Sequence, residues 1–280
     1  TGGNSCIHHS YSKFSCSADT IVIKPNHHTI FIYSIFKACW TRFIGNMHGS
    51  TIRHVTKNML MSFELPIPSD LIMQQWTNQF LELQNEINQK TVEVLKIEQE
   101  IKEKIQSISN CRQVKLNDIS TIKSGTMLSK NNAIPGQYMV IGGGSSKYTH
   151  NVANINGFNI IISRVGDNKI TIITKNCYLT DNGLAIKLNE QNLKYNNFVA
   201  NYLMTNHLII SNLSNGTAQK LITQSQLKQL TIPLPNDDEC IDQINLMCSN
   251  VEKLKDNIDV VKNKYNQLID KLGDESIKHI

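Results

Sequence analysis

The strongest constraint on this chain is an internal repeat with a fixed offset of 167 residues and no gaps. Three landmarks keep this offset: the segments 49–56 and 216–223, the Pro-x-Pro segments 66–68 and 233–235, and the pair Phe31 and Phe198. In both copies a long helical stretch follows the Pro-x-Pro segment. A gapless repeat of this length predicts two copies of one structural unit.

Charge is distributed unevenly along the repeat. The globular stretches 1–68 and 111–235 carry 6 and 12 basic residues against 2 and 4 acidic ones, a net charge of +12. The helical stretches 69–110 and 236–280 carry 4 and 6 basic residues against 7 and 10 acidic ones, a net charge of −7. Basic globules joined by acidic helices indicate that the globules face a polyanion. Uneven solvated surface charge is the plainer alternative.

Composition limits the class of protein. A chain of 280 residues with 40% hydrophobic residues can form one large domain or two modest ones. It has no apolar run long enough to span a membrane and no signal-peptide pattern. Its seven cysteines lack a C-x-x-C pair, which predicts reduced thiols and a cytoplasmic location instead of disulfides or zinc. Because the chain starts with Thr1, we expect it to begin inside a longer reading frame.

The two helical stretches are amphipathic and nearly free of helix breakers. The first, from Ser69 to about Ile108, predicts a rod of about 60 Å at 1.5 Å per residue. The second begins at Asp237 and keeps a heptad pattern over four repeats. The predicted seam residues are Phe80, Ile87, Val94, Ile101, Met247, Leu254, Val261 and Leu268. An antiparallel coiled coil within the chain is the economical arrangement, and pairing with another chain is the alternative.

The stretch between the helices predicts one complete mixed domain. Four β-type runs are separated by Gly, Pro, Asn and Asp turn signals: Met139–Ile141, Phe158–Ser163, Ile170–Thr174 and Leu184–Leu188. Helices are expected at Tyr195–Leu208 and Gln224–Leu230. We therefore predict an α+β fold: mixed domains joined by two long helices in an antiparallel coiled coil.

The N-terminal stretch 1–68 reads as the end of a domain. It contains a β-type run at Ile21–Ile23, closed by Pro25, and a helical apolar pattern over Ile30–Ile44. The pairs at 8–9 and 27–28 are histidines, but adjacent side chains diverge and no Cys/His spacing frames them. We expect no metal site there.

Five short blocks occur in a fixed order in the second half of the chain: Ile141–Gly144, Ile161–Gly166, Thr180–Asn182, Gly216–Gln219 and Ile232–Pro235. With the long helix that follows, they resemble the DNA-specificity (S) subunit of type I restriction–modification enzymes. The resemblance covers Cys111–Leu272 and extends through the repeat to residues 1–108. It implies two target-recognition domains that each read half of a split DNA sequence. It also implies a coiled coil that spaces these domains and carries methyltransferase subunits.

The resemblance divides the chain into five segments: the C-terminal part of a first target-recognition domain (1–68), a spacer helix (69–109), a complete second target-recognition domain (110–235), a second helix (236–272) and a tail (273–280). Two departures stand out. The counterpart of Cys111–Asn168 is absent before the first copy, which makes two-part recognition uncertain and indicates N-terminal truncation. Glu239-Cys240 replaces the family's acidic-Gln pair, which leaves the fold untouched.

Polar loops supply the candidate DNA contacts. Gly142–Lys147 lacks the spacing of a P-loop, but its glycines allow close backbone approach, and a plain turn explains it almost as well. Arg164 could read guanine or phosphate, or could form a structural ion pair with a carboxylate such as Asp181; the residues favour neither. The predicted DNA-binding residues are Arg53, Lys57, Lys123, Ser124, Thr126, Ser145, Ser146, Lys147, Tyr148, Arg164, Lys169, Asn215, Gln219 and Lys220.

No catalytic set is recognisable. The sequence lacks an Asn/Asp-Pro-Pro-Tyr methyltransferase motif, a nuclease cluster and an ATPase motif. We therefore expect a non-catalytic specificity subunit that binds double-stranded DNA and directs methyltransferase and restriction subunits to it. S-adenosylmethionine, ATP and Mg²⁺ are expected on those partners. A coiled-coil adaptor for another acidic partner, a nonfunctional fragment, and self-association through the helices are the alternatives.

Overall fold

The computed structural model describes residues 7–10, 12–17, 20–45, 55–142, 148–213 and 221–277. The chain divides into two compact units, the first formed by 1–94 with 253–280 and the second by 95–252. Each unit contains part of both long helices, α4 (Asp70–Ser107) and α9 (Asp238–Ile277). Among the described residues no helix is long and apolar enough to cross a membrane.

Three short helices precede α4 in the first unit: α1 (Thr29–Ala38), α2 (Trp40–Gly45) and α3 (Lys57–Met61). The helix predicted over Ile30–Ile44 is therefore interrupted at Cys39. Helix α3 begins after Thr56, whose hydroxyl accepts a hydrogen bond from the Met59 amide at 3.3 Å. This bond satisfies one of the amides that a helix start leaves unpaired.

The predicted β-type run at Ile21–Ile23 does not form a strand. The segment 20–25 has no regular secondary structure, and all three side chains of the run are at least 41% exposed. A β-type sequence needs a neighbouring strand to use its backbone hydrogen bonds, and the described part of the first unit contains no strand. The prediction was wrong because propensity alone does not supply that neighbour.

The core of the first unit lies where α1 meets the two long helices. It consists of side chains from all three: Phe31, Ile35, Cys39, Met73, Trp76, Phe80, Ile269 and Leu272. Gly273 is also buried there, and a Cβ at this position would lie 3.3 Å from the Ala38 Cβ. Helix α9 therefore continues past the expected end at Leu272, because its last turns still pack on α1.

The long helices run antiparallel. In the first unit the ring of Phe80 lies 5.1 Å from Tyr265, and the Lys271 ammonium lies over Trp76 at 5.9 Å. In the second unit Lys104 donates to Gln243. Higher residue numbers on α4 are therefore paired with lower residue numbers on α9, as in an antiparallel pair. The predicted α+β class with an antiparallel pair of long helices is confirmed.

The second unit is the mixed domain. Its strands are β1 (Cys111–Lys115), β2 (Ser120–Ser124), β3 (Tyr138–Ile141), β4 (Thr149–His150), β5 (Asn159–Ser163), β6 (Ile170–Ile173), β7 (Tyr178–Leu179), β8 (Gly183–Leu188) and β9 (Thr231–Pro235), and its short helices are α5 (Leu116–Ile119), α6 (Asn196–Thr205), α7 (His207–Ser211) and α8 (Gln224–Gln229), with 3₁₀ turns at Lys130–Asn132 and Glu190–Tyr195. The helix predicted over Tyr195–Leu208 breaks at Asn206, 167 residues after the break at Cys39. The repeat therefore preserves the break.

Three sheets organise these strands. The largest has the order β2-β8-β5-β6, and every neighbouring pair in it is antiparallel. A smaller sheet has the order β4-β3-β7, with β3 and β7 parallel, and β1 pairs with β9 in a two-stranded ribbon. The mostly apolar strands β5 and β8 are buried at nearly every position. They form the centre of the domain.

Polar contacts fix the start of α9 to the domain. Asn236 bonds Asn110 through both main chain and side chain, at 3.1 and 2.9 Å. Lys194 donates to Asp238 at 2.6 Å, and this hydrogen bond raises the pKa of Lys194. Asn197 donates to Asn245, about two helical turns further along α9. The domain is therefore attached to the helix along two turns.

Candidate nucleic-acid interface

Loops converge at one edge of the large sheet. Because β8 is antiparallel to both β2 and β5, the ends of β2 and β5 lie beside the beginnings of β8 and β6. We call the residues 123–126, 163–169, 179–183 and 221–223 the polar edge. Main-chain bonds tie these segments together, including Gly125 N to Gly183 O at 3.1 Å and Thr126 N to Leu179 O at 3.0 Å.

Arg164 lies at the centre of the polar edge and is used to hold it together. Its Nε donates to the Ile222 carbonyl at 3.1 Å and its Nη1 to the Asp181 carbonyl at 3.1 Å. Nη1 also lies 3.4 Å from Ser124 Oγ. The guanidinium is therefore engaged with three loops. The geometry favours the structural alternative for Arg164, with main-chain carbonyls in place of the expected Asp181 carboxylate.

The close approach of two segments of the polar edge explains why position 125 is a glycine. A Cβ on Gly125 would lie 2.2 Å from the Thr180 carbonyl oxygen and 2.4 Å from that of Leu179. Both atoms belong to the main chain and cannot rotate away, so a larger residue would force the loops apart. The stretch that connects β2 to the small sheet is therefore held against the turn before β8.

Four of the predicted contact residues reach solvent at this edge. Lys123 and Ser124 are exposed at the end of β2, and Thr126 is exposed just beyond it. Lys169 is exposed in the β5–β6 turn, where its amide donates to the Asp167 carboxylate at 3.3 Å. The structure thus brings residues that are 46 positions apart onto one edge with their polar groups outward.

Hydrogen bonds of Asn168 and His207 hold the β5–β6 turn in place. Asn168 adopts a left-handed conformation (φ 52°), is 4% exposed and donates to the Ser163 carbonyl at 3.2 Å. His207 on α7 lies between the Asn168 carbonyl at 3.3 Å and Ser211 Oγ at 3.2 Å. Both ring nitrogens of His207 therefore have a neighbour in this packing, which indicates a structural role for the histidine.

Tyr148 differs from the exposed set. It is half-buried, and its hydroxyl donates to the Leu128 carbonyl at 3.1 Å. Its main-chain carbonyl accepts from Val140 at 3.2 Å in the small sheet. The phenol holds the stretch after β2 against the β3–β4 hairpin, so the structure gives it a packing role.

Of the remaining predicted contact residues, one lies in the first unit and seven lie outside the described residues. Lys57 is exposed on α3 of the first unit, and the polar edge belongs to the second unit. Seven others lie outside the described residues: Arg53, Ser145, Ser146, Lys147, Asn215, Gln219 and Lys220. The structure therefore places six of the predicted contact residues in the second unit and one in the first.

The predicted seam residues of the long helices face inward to different degrees. Phe80, Val94, Ile101 and Val261 are buried, and Ile87, Met247, Leu254 and Leu268 are half-buried. Two neighbouring apolar side chains, Val92 and Leu95, are at least 60% exposed on the outside of α4. The helix pair therefore keeps one apolar seam and a mostly polar exterior.

Sequence reasoning missed two glutamines on α8, next to the polar edge. Gln224 Nε2 donates to the Ile122 carbonyl in β2 at 2.5 Å, and Gln226 bonds both Thr223 and Leu213. The Thr-x-x-Gln spacing of Thr223 and Gln226 is a capping-box pattern that would have identified Gln226. Nothing in the sequence indicated Gln224, because its partner is about 100 residues away.

The polar edge carries both positive and negative side chains. Its cations are Lys123, Arg164 and Lys169, and its carboxylates are Asp167 and Asp181. Among the described residues no group of three or more His, Cys, Asp and Glu side chains could hold a metal ion. The arrangement suits binding of an anionic polymer through exposed lysines and hydroxyls. The whole stretch 111–235 carries 12 basic and 4 acidic residues, and such an excess of positive charge is typical of a nucleic-acid-binding protein.

Comparison with known proteins identifies the family. The profile of the type I restriction modification DNA specificity domain matches twice, over residues 2–106 and 108–269. The chain therefore belongs to the type I restriction–modification DNA specificity family. The resemblance found in the sequence is confirmed, and each match contains the landmarks of one copy of the repeat. A search of curated proteins returned no match.

A solved structure with a TM-score above 0.5 has the same fold. The S subunit of the type I restriction-modification system from M. genitalium is similar at a TM-score of 0.58 and 16% identity, covering 86% of this chain and 71% of that one. The HsdS subunit from Thermoanaerobacter tengcongensis matches at a TM-score of 0.41 and 14% identity, covering 88% of this chain and 69% of that one.

Proposed function

We propose that this chain gives a type I restriction–modification complex its DNA sequence specificity by binding duplex DNA at the polar edge. The observation that carries the proposal is the family match over nearly the whole chain, once for each copy of the repeat. The polar edge supports it, because exposed lysines and hydroxyls lie on loops held rigidly by Arg164.

The exposed cations would set the position of the protein on the duplex. Lys123 and Lys169 carry mobile ammonium groups suited to phosphate oxygens, and this attraction falls steeply with salt. Ser124 and Thr126 offer short hydroxyls for phosphate or base-edge hydrogen bonds. Arg164 would act indirectly, since its donors already bind protein carbonyls.

The long helices would serve the partner subunits. Their stretches 69–110 and 236–280 have a net charge of −7, which makes them poor DNA ligands and good protein-binding surfaces. We propose that methyltransferase subunits bind there and that the restriction subunit joins through the complex. The chain itself would not be a catalyst. S-adenosylmethionine would be bound by the methyltransferase, and ATP and Mg²⁺ by the restriction subunit.

Binding of the full chain to a randomised duplex library tests this function. The chain is mixed with the library at two salt concentrations, with and without a type I methyltransferase subunit, and bound DNA is sequenced. Enrichment of one sequence supports the proposal. Salt-sensitive binding without enrichment reduces it to general DNA affinity, and absence of binding favours the adaptor alternative.

A charge variant ties the result to the polar edge. Lys169→Ala should weaken duplex binding and lower the slope of log affinity against log salt by about 1, because one phosphate contact is lost. Lys187→Ala is the matched control: its ammonium is also exposed in this domain, but it lies near the far end of β8 and donates to the Asn156 carbonyl. Equal slopes for both variants would place the DNA elsewhere.

A further inference from the structure

Gln226 uses both ends of its side-chain amide at the base of the polar edge. Its Oε1 accepts from the Thr223 amide at 2.8 Å and lies 2.7 Å from the Thr223 hydroxyl. In return Thr223 Oγ1 accepts from the Gln226 amide at 3.3 Å. These bonds form the capping box that starts α8.

The other end of the amide makes a bond that no capping box requires. Gln226 Nε2 donates to the Leu213 carbonyl at 2.7 Å, and Leu213 lies just beyond the end of α7. A single half-buried side chain therefore ties Leu213 to Thr223, ten positions further along the chain.

The same stretch is bound to the sheet by Arg164. The Ile222 amide donates to the Arg164 carbonyl at 3.1 Å, and Arg164 Nε donates back to the Ile222 carbonyl at 3.1 Å. Gln224 adds a bond to Ile122 in β2. The chain is therefore fixed where it leaves α7 and where it enters α8, and the second attachment belongs to the polar edge.

We propose that Gln226 is a positioning residue for DNA recognition, which acts by tying Leu213 to Thr223 at the polar edge. The inference rests on the proposed function, since the edge must bind DNA for its geometry to matter. A fixed edge presents donors in one arrangement, and base-edge discrimination depends on that arrangement more than phosphate attraction does. Loss of the tie should therefore reduce sequence discrimination and leave general DNA affinity intact.

The repeat supplies a natural comparison. The position of Gln226 in the first copy is Met59, whose amide still donates to the Thr56 hydroxyl at 3.3 Å. A methionine at this position is thus compatible with the Thr cap and the following helix. Methionine offers no amide to a carbonyl, so Gln226→Met transfers the first copy's chemistry to the second.

Two substitutions separate the tie from the cap. Gln226→Glu keeps an acceptor for the Thr223 amide, as the capping box allows, but cannot donate to Leu213. Gln226→Met removes both side-chain bonds. Each variant, as the full chain, is measured for affinity to the enriched duplex and to a random duplex, and for thermal unfolding.

We expect the ratio of specific to random affinity to fall about tenfold in both variants, the effect of losing one well-placed hydrogen bond. Random-duplex affinity of Gln226→Met should match the wild type, and its melting temperature should fall by only a few degrees. Met59→Glu controls for the added charge of Gln226→Glu and should leave the ratio unchanged.

Three results would overturn the inference. One is a ratio within twofold of wild type in both variants, which means that the tie does not serve recognition. Another is a parallel fall in both affinities with a large drop in melting temperature, which indicates structural support only. If the wild-type chain itself prefers no sequence, the proposed function fails first and the inference falls with it.

Discussion

The two copies of the repeat form equivalent helices, but aromatic side chains pack on these helices in the first copy and a β-sheet packs beside them in the second. In the first copy the ring of Phe36 packs on Trp40, Phe43 and Phe63 at 5.5–5.8 Å. The equivalent positions in the second copy, in the same order, are Leu203, His207, Ile210 and Leu230. There a β-sheet packs beside the helices, and smaller side chains suffice. A repeated helical frame can therefore be stabilised by aromatic packing or by a sheet.

Equivalent positions of the two copies differ in burial, because different elements pack on their helices. Ile32 and Tyr33 are half-buried on α1, whereas their equivalents Val199 and Ala200 are fully buried on α6. The Pro-x-Pro segment shows the same contrast. It forms strand β9 opposite β1 in the second copy, whereas its equivalent, Pro66–Pro68, lies outside any strand. The second copy alone carries the polar edge, because that edge is made of sheet loops.

The largest expected effect in each copy comes from replacing its buried phenylalanine. Phe31 and Phe198 are equivalent and are 0% and 1% exposed. Each change to alanine should cost about 3–5 kcal/mol, since both leave a large cavity. Hydrogen exchange followed by mass spectrometry should show faster exchange in the first unit for Phe31→Ala and in the second for Phe198→Ala. Faster exchange in both units for either variant would show that they unfold as one.

Arg164 should matter next, and only in the second unit. Arg164→Ala removes the side-chain bonds to Ile222, Asp181 and Ser124, and we expect it to destabilise that unit by about 2–3 kcal/mol. Arg164→Lys should recover little, because an ammonium cannot span the same carbonyls. Urea unfolding monitored by exchange of 120–126 and 181–186 measures the loss. A destabilisation below about 0.5 kcal/mol, the range of an ordinary surface substitution, would show that Arg164 does not hold the polar edge together.

The smallest contrast concerns the two threonine caps. Thr56→Ala should cost about 1 kcal/mol through loss of its bond from Met59. Thr223→Ala should cost more, about 1–2 kcal/mol, because it removes the bond from the Gln226 main-chain amide and also the hydroxyl that donates to Gln226 Oε1. Chemical unfolding of the two single variants under identical conditions gives the comparison. Equal costs would mean that the bond from the Thr223 hydroxyl to Gln226 Oε1 adds nothing to the cap.

Much of the fold followed from local patterns. Amphipathic spacing placed the first long helix and a heptad pattern placed the second, and the predicted strands from Met139 to Leu188 lie within about two residues of β3, β5, β6 and β8. The run at Ile21–Ile23 has equally strong β propensity and remains unpaired. Strands β1 and β7 went unpredicted, because each depends on a partner that is distant in the sequence, β9 for β1 and β3 for β7.

The candidate site was only partly visible in the sequence. The exposed lysines at 123 and 169 were identified from charge and turn chemistry, and the structure places both on the polar edge. The role of Arg164 was left open, because its partners are carbonyls of residues 17 and 58 positions away. Main-chain carbonyls belong to every residue type, so no sequence pattern marks them.

The sequence by itself determined the repeat, the helical frame, the seam and the family, because these depend on spacing along the chain. The tertiary structure decided which β-type runs became strands, which predicted contacts face solvent, and which cation holds the loops together. Those properties depend on contacts between residues that are far apart in sequence. Periodicity fixes what an element is, whereas packing fixes which of its side chains remain free to bind.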